Sequence, residues 1–247
     1  MRRAIQIGCL ALVFAAGLPI HAQSAEARQL LQATNADRAQ HGLAPLRWDP
    51  ALASAAQAHA AQMARAGSLS HQFPGEPDLA TRAGRMGAHF STVAENVAVA
   101  PNPRVVEDEW MHSPPHRHNI LDARLNQVGI GLVRQGESLW AVEDFSAAVA
   151  QMGSTDIEHQ VEQLVARRGI RQVGSSAAAR QTCAMEHGFA GPRPNFVMRW
   201  QGSDLSRLPD VLEEKISSGR FQSAVVGACS AGDKSGFTSY RIAVLLF

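Results

Sequence analysis

The sequence predicts an α+β protein in two parts, and three patterns carry that reading. Four stretches between residues 25 and 112 repeat apolar positions at helical spacing or open on strong helix-start signals. Val128–Val133 and Leu139–Phe145 read as two strands joined through Gln135-Gly136-Glu137-Ser138, a hairpin signal. After a Gly/Ser/Ala stretch from Gly174 to Ala179, strand and helix patterns start again and carry two cysteines. A length of 247 residues accommodates one large domain or two small ones.

The N-terminus reads as a secretory signal. Arg2 and Arg3 precede an apolar run from Ile5 to Ala16, too short to span a membrane, and Pro19 breaks it. Cleavage is expected after Ala22, with Ala25 as the alternative, so that residues 1–22 leave and the mature chain is secreted or periplasmic. Cys9 sits too early in the apolar run for a lipid-anchor cysteine. No later stretch is long and apolar enough for a transmembrane segment. Losing Cys9 leaves Cys183 and Cys229, which in an exported chain read as one disulfide. The formal net charge of +1 lacks the basic excess of an electrostatic nucleic-acid binder.

Residues 25–40 read as a helix through Leu30, Leu31, Thr34, Asn35 and Arg38, closed by His41-Gly42. Asp49 and Pro50 are an N-cap and first helical residue for a second helix to about residue 66, stopped by Gly67. His59 lies in its apolar face and reads as a packed histidine with a backbone partner. Ser68–Pro77 is a loop containing His71, and Asp78 or Leu79 opens a short helix ended by Gly87. In Val93-Ala94-Glu95-Asn96-Val97-Ala98 the carboxylate either faces solvent on an edge or is buried with a partner. Asn102-Pro103 opens a helix to about His112. There Val106 and Trp110 share one face, Val105, Glu109 and His112 another, and Glu107 and Asp108 read as solvated.

A turn at Pro114-Pro115 is expected before His116. Residues 25–150 thus form the first unit. Residues 151–178 are a helix, with Thr155 as cap, Glu158 in the capping-box position and Ile157, Val161, Leu164 and Val165 as apolar face, followed by a flexible linker. Residues 179–247 form a small α+β unit: a strand at Phe196–Trp200, a helix at Pro209–Ser217, and strands at Ser223–Cys229 and Arg241–Phe247. No internal repeat is evident in the sequence.

The densest chemistry lies in residues 105–131, with acids, Trp110, the two prolines and His112, His116 and His118. Four segments in order resemble the CAP superfamily (cysteine-rich secretory, antigen 5, pathogenesis-related-1 proteins), also called the SCP domain. They are Asn35-x-x-Arg38 leading to Leu46-Arg47-Trp48-Asp49; Ser70-His71; Ala94-Glu95-Asn96-Val97-Ala98; and Trp110 through Leu121 with Val128-Gly129-Ile130-Gly131. The resemblance is to the bacterial branch and covers about residues 25–147.

It implies an α-β-α sandwich, and the linker helix and small C-terminal α+β unit that follow lie outside the resemblance. It also implies a cleft faced by two histidines and two glutamates. The histidines match His71 and His116 and the first glutamate matches Glu95, while the second falls on Ser113. Glu109, one turn earlier, is the candidate substitute.

Neutral imidazoles are common ligands for divalent metals, so His71 and His116, with Glu95 and Glu109 as further candidates, are the expected metal set, for zinc or another divalent ion. A hydrogen-bond network that only holds the loops is the competing reading. The expected function is a secreted, non-enzymatic binding module for a small ligand, lipid or peptide. One alternative is a hydrolase using Glu95, or Ser113 activated by His116, though neither a Gly-x-Ser-x-Gly elbow nor a His-Glu-x-x-His helix is present. Another makes the C-terminal unit the recognition part.

Overall fold

The structure is a computed structural model that describes residues 23–232 and 235–247. The expected signal segment lies outside the described residues. The α+β expectation holds: two separate four-stranded sheets, each covered by helices on both faces, follow one another along the chain.

The first begins with α1 (Ala25–Gln40), whose first turn is capped by Ser24 Oγ accepting from the Ala27 amide at 3.0 Å. A two-residue strand β1 (Arg47–Trp48) leads into α2 (Pro50–Ala66), capped by Asp49 and closed by left-handed Gly67. Then come α3 (Leu79–Arg85), β2 (Phe90–Ala100), α4 (Pro103–His112), α5 (Pro114–Ile120), β3 (Gln127–Gln135) and β4 (Ser138–Ala148). Pro114 and Pro115 therefore open a helix rather than make a bare turn: they occupy its first positions, where no amide donor is needed.

The strand order is β1-β3-β4-β2, with β1 parallel to β3 and the other pairs antiparallel. On one face α1, α4 and α5 cover Val128, Ile130, Leu139, Ala141 and Phe145. On the other, α2 packs against Val97, Trp140 and Val142. A Cβ on Gly131 would stand 2.2 Å from the backbone of Ala56, so only glycine admits so close a helix.

The paired asparagine and arginine of the first helix act as long-range clamps. Asn35 exchanges two hydrogen bonds with the Leu46 backbone (2.7 and 3.1 Å). The buried Arg38 donates to the carbonyls of Ala44, Ile120, Asp122 and Leu125.

The second part contains α6 (Ser154–Arg167), β5 (Gln172–Ser175), α7 (Ala177–Ala184), β6 (Phe196–Gly202), α8 (Asp210–Ser217), β7 (Ser223–Cys229) and β8 (Tyr240–Leu246). Two expectations are corrected here. Gly174–Ala179 is not a flexible linker: it holds the end of β5, which pairs in parallel with β7, and the start of α7. The α6 helix starts from Gly153 without a side-chain cap. Glu158 instead accepts from Arg180 (2.6 and 2.8 Å) and from the Ala228 amide (2.9 Å), a claim from distant chain that outweighs a local box.

The apolar face of α6 packs as expected, with Ile157, Val161 and Val165 buried against β7, β8 and α8. Cys183 of α7 and Cys229 of β7 form the expected disulfide, with Cα atoms 5.8 Å apart.

The order in this sheet is β5-β7-β8-β6, with β5 parallel to β7 and the other pairs antiparallel. That is the order and sense of the first sheet, strand for strand, again with one helix leading into the parallel edge strand and one leading out. The two parts meet where the Phe90 amide donates to Gly236 O at 3.0 Å and the Thr238 amide donates to Phe90 O at 2.9 Å, and where the rings of Phe90 and Phe237 pack edge-on.

Candidate functional site

Register on the first sheet sets the site. Glu95 stands opposite Asp144 in the β2–β4 pair, and both point to the face under α2. Glu95 is buried and paired, which resolves its two possible placements. One of its oxygens accepts from His71 Nδ1 at 2.8 Å, and the other is held by the guanidinium of Arg82 from α3. Arg82 also donates to the His71 carbonyl at 3.1 Å, so a single side chain fixes both the acid and the loop that carries the imidazole.

The loop is braced from beneath as well. His59 is fully buried with Nε2 on the Ser70 carbonyl at 2.8 Å, the backbone partner expected of it, and Nδ1 on Glu76 Oε1 at 2.7 Å. The other oxygen of Glu76 accepts from the Phe73 amide at 2.9 Å.

His116 comes from α5, which two amides tie to β2. Asn96 Nδ2 donates to the His116 carbonyl at 3.2 Å, and Asn119 Nδ2 donates to Asn96 Oδ1 at 2.9 Å and to the Glu95 carbonyl at 3.2 Å. The His116 ring leans on Trp110, whose Nε1 donates to the Val97 carbonyl at 3.2 Å.

The two imidazoles differ electrically. The bond to Glu95, set against partial burial, holds His71 above the ordinary histidine value. Burial, and then the charge of His71, holds His116 below it. His116 is thus the neutral imidazole near neutral pH, and the two rings lie close enough to feel each other.

The remaining candidates stand apart. Glu109 is exposed on α4, and no hydrogen bond or ion pair among the described residues ties it to His71, Glu95 or His116. His112 is exposed and bonded to its own helix at the Asp108 carbonyl (2.7 Å), and His118 is exposed on α5. Ser113 joins α4 to α5 through its backbone, with no side-chain hydrogen bond to His116.

Sequence reading missed Arg82, Glu76 and Asp144. Asp144 is fully buried with no donor for either oxygen; burial, and then the charge of Glu95, push its carboxyl well above the usual range. Only adjacency in the fold marks these three. Glu107, read as solvated, is buried at 4% exposure, because a second acid-binding position forms beneath α4.

Residues 31–145 match the model of the cysteine-rich secretory protein (CAP) family. The chain is 33% identical over 118 residues to the uncharacterized protein YkwD of Bacillus subtilis, covering 47% of this chain and 46% of the relative. It is 31% identical over 115 residues to the uncharacterized membrane protein YlbC of the same organism, covering 46% and 33% respectively. The chain therefore spans less than half the length of these curated relatives. Among solved structures, an extracellular SCP-domain protein from Bacillus anthracis aligns at TM-score 0.45 and 27% identity, over 48% of this chain and 39% of its own. A cysteine-rich secretory protein from Staphylococcus aureus aligns at TM-score 0.41 and 22% identity, over 52% and 41%.

Proposed function

We infer that the CAP domain matched at residues 31–145 serves as a binding module outside the cytoplasm, taking its ligand in the cleft between the His71 loop and α5. One observation carries this reading: Glu95 is spent on Arg82 and on His71 Nδ1, which leaves His71 Nε2 open on a side chain that is 61% exposed. A carboxylate behind an imidazole sets its tautomer and its aim, as at histidine metal sites. Glu95 then orients His71 rather than ligating, and His71 and His116 are the two donors offered.

This donor set fits a divalent ion only in part. Among the described residues no group of three His, Cys, Asp or Glu stands close enough to hold a metal. Two imidazoles give zinc half of its usual four positions, so the remaining donors come from water or from the ligand itself. When bound, such an ion supplies Lewis acidity at the cleft mouth. The ligand class this favours brings its own oxygen donors, as a peptide carboxylate or a lipid headgroup does.

Calorimetry with zinc alone tests the reading on the full chain and on the His71→Ala/His116→Ala variant. One equivalent bound by the parent and lost in a variant of unchanged circular dichroism is the expected result. Equal binding by both proteins overturns the cleft assignment. Arg82→Gln, which loosens Glu95 without removing an imidazole, should weaken zinc binding by about 10- to 100-fold.

A further inference from the structure

On the opposite face of the first sheet, under α1 and α4, three side chains unrelated to the cleft meet in a closed space. Thr34 of α1 and Glu143 of β4 are fully buried, and Glu107 of α4 nearly so. The Thr34 hydroxyl lies 2.8 Å from Glu107 Oε2, 3.2 Å from Glu143 Oε1 and 3.1 Å from the Leu30 carbonyl. A hydroxyl has one hydrogen to donate. It satisfies one of those three oxygens, so at least one carboxyl must itself donate to Thr34 Oγ1. The outer oxygens, Glu107 Oε1 and Glu143 Oε2, are buried with no donor.

We propose that Glu107 and Glu143 share one proton across Thr34 and form a pH-sensitive latch that holds α1 and α4 on the first sheet. The charges close on this assignment. The pair with one proton carries a single negative charge, beside the buried guanidinium of Arg38, which donates only to carbonyls. Asp37 of α1 lies within hydrogen-bond reach of Glu107 and raises it further by its charge, and Asp144 adds its field to Glu143 through the sheet. Hydroxide taking the shared proton leaves two carboxylates around one hydroxyl, buried away from solvent.

Burial raises Glu107 to about 8, against the Thr34 hydrogen bond and reinforced by Asp37. Burial, and then the charge of Glu107, raise Glu143 well above the usual range. By linkage, the two acids together hold the shared proton more tightly in the folded chain than either does unfolded. Their contribution is whole below the ordinary carboxylate range near 4.5 and is lost as pH rises through about 8.

Urea unfolding of the full chain between about pH 5 and pH 9 tests this beside Glu143→Gln, whose amide donates where the shared proton did. The parent's folding constant should fall by up to about tenfold per pH unit relative to the variant, so that the variant is the more stable protein at the alkaline end. Carbon-13 NMR of the carboxyl groups in the parent alone should show one glutamic acid still protonated at neutral pH, a signal lost in Glu107→Gln or Glu143→Gln. Parallel stability profiles overturn the proposal. So does a parent in which every glutamate titrates in the ordinary range. The NMR arm decides the matter if a variant fails to fold.

Discussion

The two halves of this molecule share a backbone plan and differ in what they put inside it. Gly131 of β3 and Gly227 of β7 are corresponding points. Each is the glycine on which a helix lies so close that a Cβ would stand 2.2 Å from the backbone, at Ala56 in one case and Ala179 in the other. Gly131 pairs with Val142 and Gly227 with Ala243. Counting from these points, Glu95 and Asp144 correspond to Val197 and Leu245, which also stand opposite each other. Glu143 corresponds to Val244, and His59, three residues past Ala56, to Thr182, three past Ala179.

The first half therefore buries acids and imidazoles at positions where the second buries apolar groups and a hydroxyl. Thr182 still organises the loop after its helix, accepting from the Ala190 amide at 2.9 Å, as His59 does by holding Ser70. The difference between the halves separates what the fold needs from what the set of side chains around Glu95 needs. The fold requires a glycine under the second helix and apolar faces elsewhere. The Glu95, Arg82 and His71 set is an addition that the same sheet does without.

The sharpest way to break the comparison is to write the first half's chemistry into the second. Leu245→Asp places a carboxylate opposite Val197, among Ala179, Cys183 and Ala243, where the arginines of the same face, Arg199 and Arg241, already donate to the carbonyls of Thr182 and Met185. The penalty for an unpaired buried charge, together with the lost apolar burial, should remove about 3–5 kcal/mol of stability by chemical denaturation. A loss below about 1 kcal/mol would mean that the second half tolerates buried acid as the first does, and the contrast would fall.

A smaller effect should come from the feature the second half has alone. The disulfide between Cys183 and Cys229 closes 46 residues and ties α7 to β7. Chain entropy sets about 4 kcal/mol as the upper figure for such a loop, with 2–4 typical. Cys183→Ser/Cys229→Ser should lower stability by about that amount, with amide exchange rising in β7 and β8 and unchanged in β3 and β4. Equal loosening of both sheets would show that the halves unfold as one unit.

How much of this was legible in the sequence follows from the range of the forces involved. Asp49-Pro50 and Asn102-Pro103 announce α2 and α4 because a cap and a first-turn proline are local devices, satisfied within three residues. The hairpin of β3 and β4 is equally local. The CAP resemblance located His71, Glu95 and His116, and the structure brings His71 and Glu95 into direct contact and His116 within electrical reach.

What was not legible depends on distant partners. Glu107 reads as a solvated acid until Thr34, 73 residues away, and Glu143 are folded onto it. Glu158 reads as a capping-box residue until Arg180 and Ala228 claim it. Four-residue β5 hides in Gly and Ser because parallel pairing with β7 uses backbone groups rather than a side-chain pattern. The repeated strand order is invisible for a related reason: topology survives exchange of Glu for Val and Asp for Leu, whereas residue identity does not.

The smallest expected effect concerns Asp144, the buried acid that stands opposite Glu95. Asp144 has no donor on either oxygen, and its raised affinity for a proton makes it a neutral acid facing Glu95. Asp144→Asn keeps the shape and replaces that acid with an amide able to donate to the same carboxylate, so stability at neutral pH should change by less than about 1 kcal/mol. At alkaline pH the balance changes, because an acid raised in the fold stabilises below the ordinary carboxylate range and loses that contribution as pH rises. The variant should therefore gain on the parent as the solution is made basic. The corresponding change one residue earlier, Glu143→Gln, acts on the other face of the sheet and should add to it at neutral pH, where a neutral Asp144 lends Glu143 no charge and the two acids have separate partners. Non-additive changes in urea stability would show the two buried acids to be one titrating unit that crosses the sheet. The first half would then differ from the second by a single connected network rather than by two independent insertions of charge.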